Sequence, residues 1–459
     1  MPKSSRHSEV ETPSVDTFCK NVLRSCLLDR DELQAAVVDM PADRRDDARA
    51  LADHLIKKGK LSRFQANKLL KGTAKGFILD HYQIVAPLGK GGMGTVYMAR
   101  DQRTGRLVAL KVLAPERART EERTLERFKR EMELCRRVAH PHIAMTFEVG
   151  LVEVKGVYYI AMEYIPGKSL YRLVSDEGPL DVPRVAHFGL EIAAGLEHAH
   201  KQGLIHRDLK PSNVVITPHD HAKILDFGLA LVAGEKGAAE IIGGQGYIVG
   251  SMDYISPEQT LDASKVDARA DVYGLGCLLF FALTGQPPFP GGTSTEKIYK
   301  HRNEVPPQLS ALRPDVPMDF ADIIHRMMAK DPGLRLPTAR AVVEAMRPWA
   351  LTQVLQPLDR PDDTEFRMAV AALQTAEGST EFSQTDLPPV DDSDAVLPVA
   401  KAPDIAATVI RPVDDAPFHE RRRRQAQLQF FLILGGVVLA VLLGGGLLLT
   451  CLLTVLFRH

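Results

Sequence analysis

The feature that most restricts the fold is a change of pattern near the middle of the chain. Residues 82–85 and 107–113 are short runs rich in branched and apolar side chains, which are typical of β-strands. After Pro183, long stretches follow the helical period instead. A strand-rich part followed by a helix-rich part predicts an α+β fold with two lobes of different architecture.

Composition excludes several classes of protein. The 459 residues include 57 Lys or Arg and 58 Asp or Glu, so the formal net charge is −1 and a basic, nucleic-acid-binding surface is not expected. The five cysteines are scattered and form no Cys-x-x-Cys pair. This spacing argues against a disulfide framework or a zinc ribbon and favours a reducing compartment.

The segments on either side of the central part differ from it in composition. Residues 1–13 are polar and are expected to be disordered, whereas residues 14–75 follow a helical period. The latter predict a small helical region that packs on another part of the protein, because its own core would be marginal. Residues 356–424 are rich in Pro, Asp, Ser and Thr and predict an acidic disordered tether ending in a basic run.

One apolar stretch predicts a transmembrane helix. Residues 430–457 contain no charged side chain, and about 20 apolar residues suffice to cross a bilayer. The N-terminus lacks the apolar region of a signal peptide. Because four arginines at 421–424 precede the stretch and only Arg458 and His459 follow it, the positive-inside rule predicts a single-pass C-terminal anchor in the cell membrane, with the preceding domains in the cytoplasm.

The predicted membrane helix also carries a spacing that concerns self-association. Gly436, Ala440 and Gly444 are four residues apart and therefore lie on one helix face. Small residues at this spacing let two membrane helices approach closely, which favours a homodimer. Glycines are also simply frequent in membrane helices, so the spacing leaves both interpretations open.

A glycine-rich segment is the first candidate for a phosphate-binding loop. Gly89, Gly91 and Gly94 give the spacing G-x-G-x-x-G between two predicted strands, whereas a dinucleotide fingerprint would open a helix. A flexible hairpin explains these glycines equally well. Lys111 ends the next apolar strand and needs an anionic partner. Nucleotide phosphates and the carboxylate of Glu131 are the two candidates.

Three further motifs follow in a fixed order. They are His-Arg-Asp-Leu-Lys-Pro-Ser-Asn at 206–213, Asp-Phe-Gly at 226–228 and Ser-Pro-Glu at 256–258. Together with the glycine loop and Val-Ala-Leu-Lys at 108–111, this order closely resembles the signature set of the protein kinase family. Ser256 stands where the family usually has Ala. The resemblance implies a bilobal kinase fold over residues 82–349, with a β-rich N-lobe and a helical C-lobe.

The resemblance also implies roles at the catalytic centre. Asp208 would accept the proton of the attacking hydroxyl, and Lys210 would place a positive charge beside the transferring phosphoryl group. Lys111, oriented by Glu131, would hold the α- and β-phosphates of ATP. The implied ligands of two Mg²⁺ (or Mn²⁺) ions are Asn213 and Asp226.

The ATP-binding residues follow from the same resemblance. The implied phosphate loop consists of Gly89, Lys90, Gly91, Gly92 and Gly94. The implied adenine pocket consists of Val96, Ala109 and Val215 as the apolar sandwich, Met162 at the back, and the backbone groups of Glu163 and Ile165 at the adenine edge. Further members of the set look structural: Asp271 as the anchor of the catalytic loop, His206 and Phe227 in an internal apolar stack, and Glu258 paired with Arg335.

The acceptor class is implied as well. Asp-Leu-Lys-Pro at 208–211, with Gly250 and Ser251, is similar to the serine/threonine pattern of the family, and several segments are similar to bacterial members. The predicted function is a membrane-tethered serine/threonine protein kinase that phosphorylates protein substrates in signalling. The alternatives are a pseudokinase scaffold, a receptor with a degenerate enzyme part and a small-molecule kinase. Every named catalytic position carries the expected residue, which favours the enzyme.

Overall fold

The structure, a computed structural model, describes residues 13–91, 94–113, 138–152, 156–225, 227, 251–262 and 266–350. Several predicted features lie outside these residues. They are Gly92, Glu131, Asp226, most of the N-terminal tail, the tether at 356–424 and the apolar stretch at 430–457. Among the residues that the structure does describe, no helix has the length and hydropathy needed to cross a membrane.

Four short helices open the described chain, and polar side chains fix where they begin. The helices are α1 Val15–Arg24, α2 Arg30–Val38, α3 Ala48–Lys57 and α4 Arg63–Leu70. At the start of α4, the Ser62 hydroxyl accepts the N–H of Gln65 while the Gln65 side chain accepts the N–H of Ser62. Asp29 and Glu32 form the same reciprocal cap on α2. These caps satisfy N–H groups that the first turn of a helix leaves unpaired.

A six-stranded antiparallel sheet follows the helices, in the order β1-β2-β3-β4-β6-β5. The strands are β1 Ile78–Leu79, β2 Tyr82–Gly91, β3 Gly94–Asp101, β4 Leu107–Leu113, β5 Thr146–Val152 and β6 Val157–Glu163. Side chains along each strand alternate between the two faces of the sheet. In the register of β3 with β4, Val96 lies opposite Lys111 and Tyr97 lies opposite Leu110. The sheet therefore has one face that carries Lys111 and an outer face that carries Tyr97 and Leu110.

The four helices cover this outer face. Apolar side chains of the helices and of the sheet form one buried core, whose members include Phe18, Leu51, Leu55, Tyr82, Tyr97 and Leu110. Two polar side chains at the start of α4 also bind the sheet: Ser62 Oγ donates to the carbonyl oxygen of Val85 at 2.5 Å, and Gln65 Nε2 donates to that of Ile84 at 2.6 Å. The helical region is thus a layer of the N-lobe, and the sheet is what it packs on.

The second lobe is built from helices around a small sheet. The helices are α5 Leu170–Glu177, α6 Val182–Lys201, α7 Arg269–Thr284, α8 Ser294–Asn303, α9 Leu309–Leu312, α10 Met318–Met327 and α11 Ala339–Met346. The strands are β7 Lys168–Ser169, β8 Val214–Ile216 and β9 Ala222–Ile224. Almost every side chain of α7 is buried, which is typical of a helix at the centre of a lobe. The predicted bilobal α+β architecture is confirmed.

The shared core predicts that the helical layer and the sheet stabilise each other. Leu51 is fully buried in that core, and Leu→Ala changes at such sites cost about 2–5 kcal/mol. We therefore expect Leu51→Ala to lower the free energy of unfolding of the kinase lobes by that amount in a urea titration. Val38→Ala is the matched control, because Val38 on α2 is 62% exposed. An unchanged unfolding transition of the lobes in Leu51→Ala would show that the layer folds independently of them.

Candidate active site

Three polar side chains meet in the loop between α6 and β8. Lys210 Nζ donates to Asp208 Oδ2 at 2.6 Å. Asn213 Nδ2 donates to the backbone oxygen of Asp208 at 2.8 Å and to its Oδ2 at 3.2 Å. One carboxylate oxygen therefore receives both donors, and this arrangement fixes the orientation of the Asp208 side chain.

A buried carboxylate supports this loop from below. Asp271, near the start of α7, is only 1% exposed. Its two oxygens accept the backbone N–H groups of His206 and Arg207, each at 2.8 Å, and the Nε2–H of His200 at 2.7 Å. Burial raises the pKa of Asp271, but the hydrogen bond and charge of His200, with the N–H of His206, outweigh burial and hold the pKa below 3.8. The anchoring role implied by the sequence corresponds to these three contacts.

The conformation of the loop depends on this anchor. Arg207 has a φ of +65°, in the left-handed region that residues other than Gly and Asn seldom adopt. The hydrogen bond from its N–H to Asp271 holds it there. Because Arg207 immediately precedes Asp208, the unusual dihedral also sets the direction in which the Asp208 carboxylate leaves the chain.

His206 connects the loop to the end of β9. Its Nδ1 accepts the backbone N–H of Asp208 at 3.2 Å, so the proton of the neutral ring lies on Nε2, which donates to the carbonyl oxygen of Leu225 at 2.8 Å. The His206 ring also stacks edge-on against Phe227, with centroids 4.9 Å apart. The N–H of Leu225 donates to the backbone oxygen of Asn213 at 2.8 Å. The residue before Asp226 therefore lies alongside the predicted metal ligand Asn213.

The N-lobe places the predicted nucleotide residues on one face of its sheet. Lys111 lies opposite Val96, and Met162 lies opposite Ala109, which is two residues before Lys111. Residues directly opposite in antiparallel strands share a face, as do residues two apart along a strand. Val96, Ala109, Lys111 and Met162 therefore share the face opposite the helical layer. Lys111 is 8% exposed, and its predicted partner Glu131 lies outside the described residues.

The glycine loop forms the tip of the β2–β3 hairpin. Gly89 lies opposite Val96, Lys90 opposite Thr95, and Gly91 opposite Gly94. Gly94 has a φ of +147°, which a residue with a Cβ would adopt only under strain. The backbone here accordingly requires glycine at position 94, whatever the loop binds.

The remaining residues that were predicted to bind adenine lie on or after β6 and on β8. Ile165 lies between β6 and β7, and Val215 lies on β8 opposite Lys223. The N–H of Glu163 already donates to the carbonyl oxygen of Met145 at 2.8 Å, which leaves its own carbonyl oxygen as the candidate contact with an adenine. The Glu163 carboxylate binds the Lys223 ammonium, a pair that the sequence did not indicate.

A second support of the loop escaped the sequence prediction. Gln259 Nε2 donates to the carbonyl oxygen of Arg207 at 2.7 Å, while Gln259 Oε1 accepts the hydroxyl of Ser256 at 2.9 Å and its N–H at 3.1 Å. The hydroxyl that distinguishes Ser256 from the usual Ala is thus fully buried and hydrogen-bonded. Two residues further along, Glu258 forms the predicted pair with Arg335, and the structure shows that it is bidentate, at 2.6 and 2.7 Å.

The donor set of the loop suits a hard divalent cation. The Asn213 amide nitrogen is used by Asp208, so its amide oxygen is the atom available to a metal, and Asp208 adds a carboxylate nearby. Mg²⁺ prefers oxygen ligands of these two kinds. The described residues therefore fit a magnesium-bound nucleotide.

The Asp271 anchor yields a prediction about stability and pH. Asp271→Asn removes a buried charge from three donors, and we expect a loss of about 3 kcal/mol in the free energy of unfolding near neutral pH. Because the pKa of Asp271 in the fold lies below 3.8, the contribution of the carboxylate is complete above that value and is lost as the pH falls through the lower folded pKa. Urea titrations at decreasing pH should show the difference between wild type and variant shrink.

The control for this experiment is Asp39→Asn. Asp39 pairs with Lys58 at 2.7 Å on the surface, with half of its side chain exposed, so a far smaller change is expected. A difference between wild type and Asp271→Asn that stays constant over the acid range would contradict the assigned pKa direction.

The comparisons with known proteins agree with this geometry. A family model described as protein kinase domain matches residues 82–348, more than half of the chain. The serine/threonine-protein kinase PknB of Mycobacterium tuberculosis is 34% identical over 324 residues, which are 70% of this chain and 51% of that protein. PknD of the same species is 38% identical over 259 residues, covering 56% of this chain and 38% of that protein. A probable serine/threonine-protein kinase of Streptomyces coelicolor is 35% identical over 260 residues, which are 56% of this chain and 38% of that protein.

The chain thus spans about half, or less, of the length of the curated relatives it matches. Their names confirm the resemblance to serine/threonine kinases of bacteria. With the kinase model covering more than half of its residues and the catalytic loop folded as described, the chain belongs to the protein kinase domain family.

Proposed function

We propose that the protein is a serine/threonine protein kinase that transfers the γ-phosphoryl group of ATP to hydroxyl groups of protein substrates. The observation that carries this proposal is the arrangement of Asp208, Lys210 and Asn213, which presents one oriented carboxylate with a cation beside it. Phosphoryl transfer needs alignment and charge stabilisation rather than covalent help, and this loop provides both.

The residues have different roles in the proposed reaction. The substrate hydroxyl oxygen forms a bond to the γ-phosphorus, the bond from that phosphorus to the leaving oxygen of ADP breaks, and the hydroxyl proton passes to the Asp208 carboxylate. Lys210 lies close enough to Asp208 to place its positive charge at the transferring group. Lys111, on the nucleotide face of the sheet, contributes a second positive charge toward the phosphates. Asn213 would hold a magnesium ion on its side of the loop, and that ion would neutralise phosphate charge there.

Serine and threonine are the proposed acceptors for two reasons. The lysine two residues after Asp208 is part of the serine/threonine pattern of the family, and the three relatives are named serine/threonine-protein kinases. The intact catalytic loop argues against the pseudokinase alternative. We include a function in signalling in the same proposal, because phosphorylated proteins are the product of the reaction and can act as signals.

The catalytic proposal predicts a large effect of an isosteric change. Asp208→Asn keeps the size of the side chain but removes the proton acceptor, and general-base catalysis is worth about 100-fold to 10,000-fold in rate. We expect the rate of ³²P transfer from ATP to a serine-containing protein to fall by at least about 100-fold, with ATP binding retained. The matched control is Asp322→Asn, an exposed carboxylate on α10.

Two results would contradict the kinase proposal. Wild-type protein that binds ATP with Mg²⁺ or Mn²⁺ but transfers no phosphate to protein would favour a pseudokinase. Wild-type rates in Asp208→Asn would exclude the role assigned to that carboxylate.

We further propose that the kinase is held at the cell membrane by residues 430–457, with the kinase domain on the cytoplasmic side. The support comes from the sequence alone: 28 consecutive uncharged, mostly apolar residues preceded by four arginines. The aligned small residues Gly436, Ala440 and Gly444 support a homodimer through the same helix. Such a dimer would raise the local concentration of one kinase domain around the other.

The membrane proposal can be tested by placing charges in the apolar stretch. One Arg at the centre of a membrane helix costs about 3 kcal/mol of insertion free energy, so Leu443→Arg with Leu447→Arg should move the protein from the membrane pellet to the supernatant after an alkaline wash. The control carries the same two changes in the tether, Leu387→Arg with Leu397→Arg. Wild-type protein in the supernatant, or equal distribution of both variants, would contradict the proposal.

A further inference from the structure

A buried cluster of nitrogen and oxygen donors lies away from the catalytic loop. We define it as the His–Glu cluster, made of His187, Glu191 and His221. His187 and Glu191 are four residues apart on α6 and so lie on one face of that helix. His221 is the residue before β9. The side chains are 12%, 5% and 10% exposed, respectively.

The donor atoms of the cluster converge. Glu191 Oε1 lies 2.6 Å from His221 Nδ1 and 3.2 Å from His187 Nε2, and the three atoms all lie within 4.8 Å of one another. The other oxygen, Oε2, accepts the backbone N–H of Ala222 at 2.7 Å. One carboxylate oxygen is therefore fixed by the backbone, and the second is directed at two imidazole nitrogens.

One member of the cluster is unsatisfied. His187 Nε2 is fully buried and makes no hydrogen bond to any residue that the structure describes, although Glu191 Oε1 is only 3.2 Å away. The two atoms are close enough to interact, but they do not form a well-aligned hydrogen bond. A buried ring nitrogen without a partner is unfavourable, and a bound cation is one of the few partners that a lone pair can have.

The spacing matches a tetrahedral metal. Bonds of about 2.0 Å to a central zinc ion place neighbouring ligand atoms about 3.3 Å apart, and Glu191 Oε1 and His187 Nε2 already have this separation. His221 Nδ1 is closer because it shares a proton with the carboxylate. When that proton leaves, the pair no longer has an attractive hydrogen bond and can open from 2.6 Å to the roughly 3.3 Å that tetrahedral zinc requires.

We propose that the His–Glu cluster binds one Zn²⁺ ion through His187, Glu191 and His221. Two imidazoles and one carboxylate are a ligand set that suits zinc, whereas Mg²⁺ and Ca²⁺ prefer oxygen ligands alone. The fourth position is left to water. His142 lies outside this ligand set: its Nδ1 donates to the carbonyl oxygen of Ala222 at 3.0 Å and lies 3.8 Å from Glu191 Oε2, the oxygen that the backbone holds.

The role of the ion follows from what it would join. α6 leads into the catalytic loop, and β9 leads out of the β8–β9 hairpin toward Leu225 and the predicted metal ligand Asp226. A zinc ion between them would tie the two elements together at the end remote from Asp208. The proposed zinc ion therefore links α6 to β9, and its binding does not depend on the kinase activity.

The experiment measures zinc directly in the full chain. Protein without a histidine tag is stripped with a chelator, dialysed into buffer with excess Mg²⁺ and titrated with Zn²⁺, and bound zinc is counted by mass spectrometry. We expect one zinc ion per chain, and affinity lower by about tenfold or more in His187→Gln and in His221→Gln. His219→Gln is the matched control, because His219 lies in the same turn but is exposed and outside the cluster. Co²⁺ in place of Zn²⁺ should give the visible absorption of a tetrahedral site.

Several results would overturn the proposal. These are less than one zinc ion per chain in the wild type, equal affinity in the wild type and in both ligand variants, or equal competition by Mg²⁺ or Ca²⁺. Far-ultraviolet circular dichroism identifies a variant that has lost its fold. In that case, the melting temperature of the wild type is measured with and without Zn²⁺ instead. A melting temperature that Zn²⁺ does not raise would contradict a zinc ion that links α6 to β9 in the folded protein.

Discussion

The buried carboxylate of Asp271 is the interaction on which the rest of the site depends. It collects two consecutive backbone N–H groups and one imidazole N–H in a place where water cannot replace them. Unpaired, each of those N–H groups would carry the cost of a buried polar group. The loop therefore has one low-energy conformation, in which Arg207 adopts a left-handed dihedral and the Asp208 carboxylate that follows is held in one orientation by Lys210 and Asn213. Catalytic geometry here is a consequence of hydrogen bonding inside the C-lobe.

The relay through Gln259 adds a second, independent constraint on the same loop. It links the carbonyl oxygen of Arg207 to a segment that begins at Ser256, whereas Asp271 binds the N–H of Arg207 from α7. The N–H and the carbonyl oxygen of Arg207 are thus held by two different parts of the C-lobe. A Ser at 256 costs little in this setting, because Gln259 accepts its buried hydroxyl.

Much of the site could be read from the sequence, because its parts are local. Asp208, Lys210 and Asn213 are within six residues of one motif. The resemblance to protein kinases implied Val96, Ala109 and Lys111, and the register of β3 with β4 places them on one face. Contacts between distant segments could not be read in this way. The pairing of Glu191 with His221 spans 30 residues and depends on how a hairpin packs against a helix. Likewise, the sequence of residues 14–75 predicted helices but did not indicate that they would cover the outer face of the sheet.

That helical layer changes which part of the chain another molecule would meet. In a lobe without the helical layer, the strands themselves would form the surface on that side. The sequence of those strands is restricted, because every second residue belongs to the nucleotide face. Here the surface on that side belongs to helices that pack on the face of the sheet opposite Lys111. Recognition on that side can therefore change through substitutions in residues 14–75, while the strands and the nucleotide face on their far side stay unchanged.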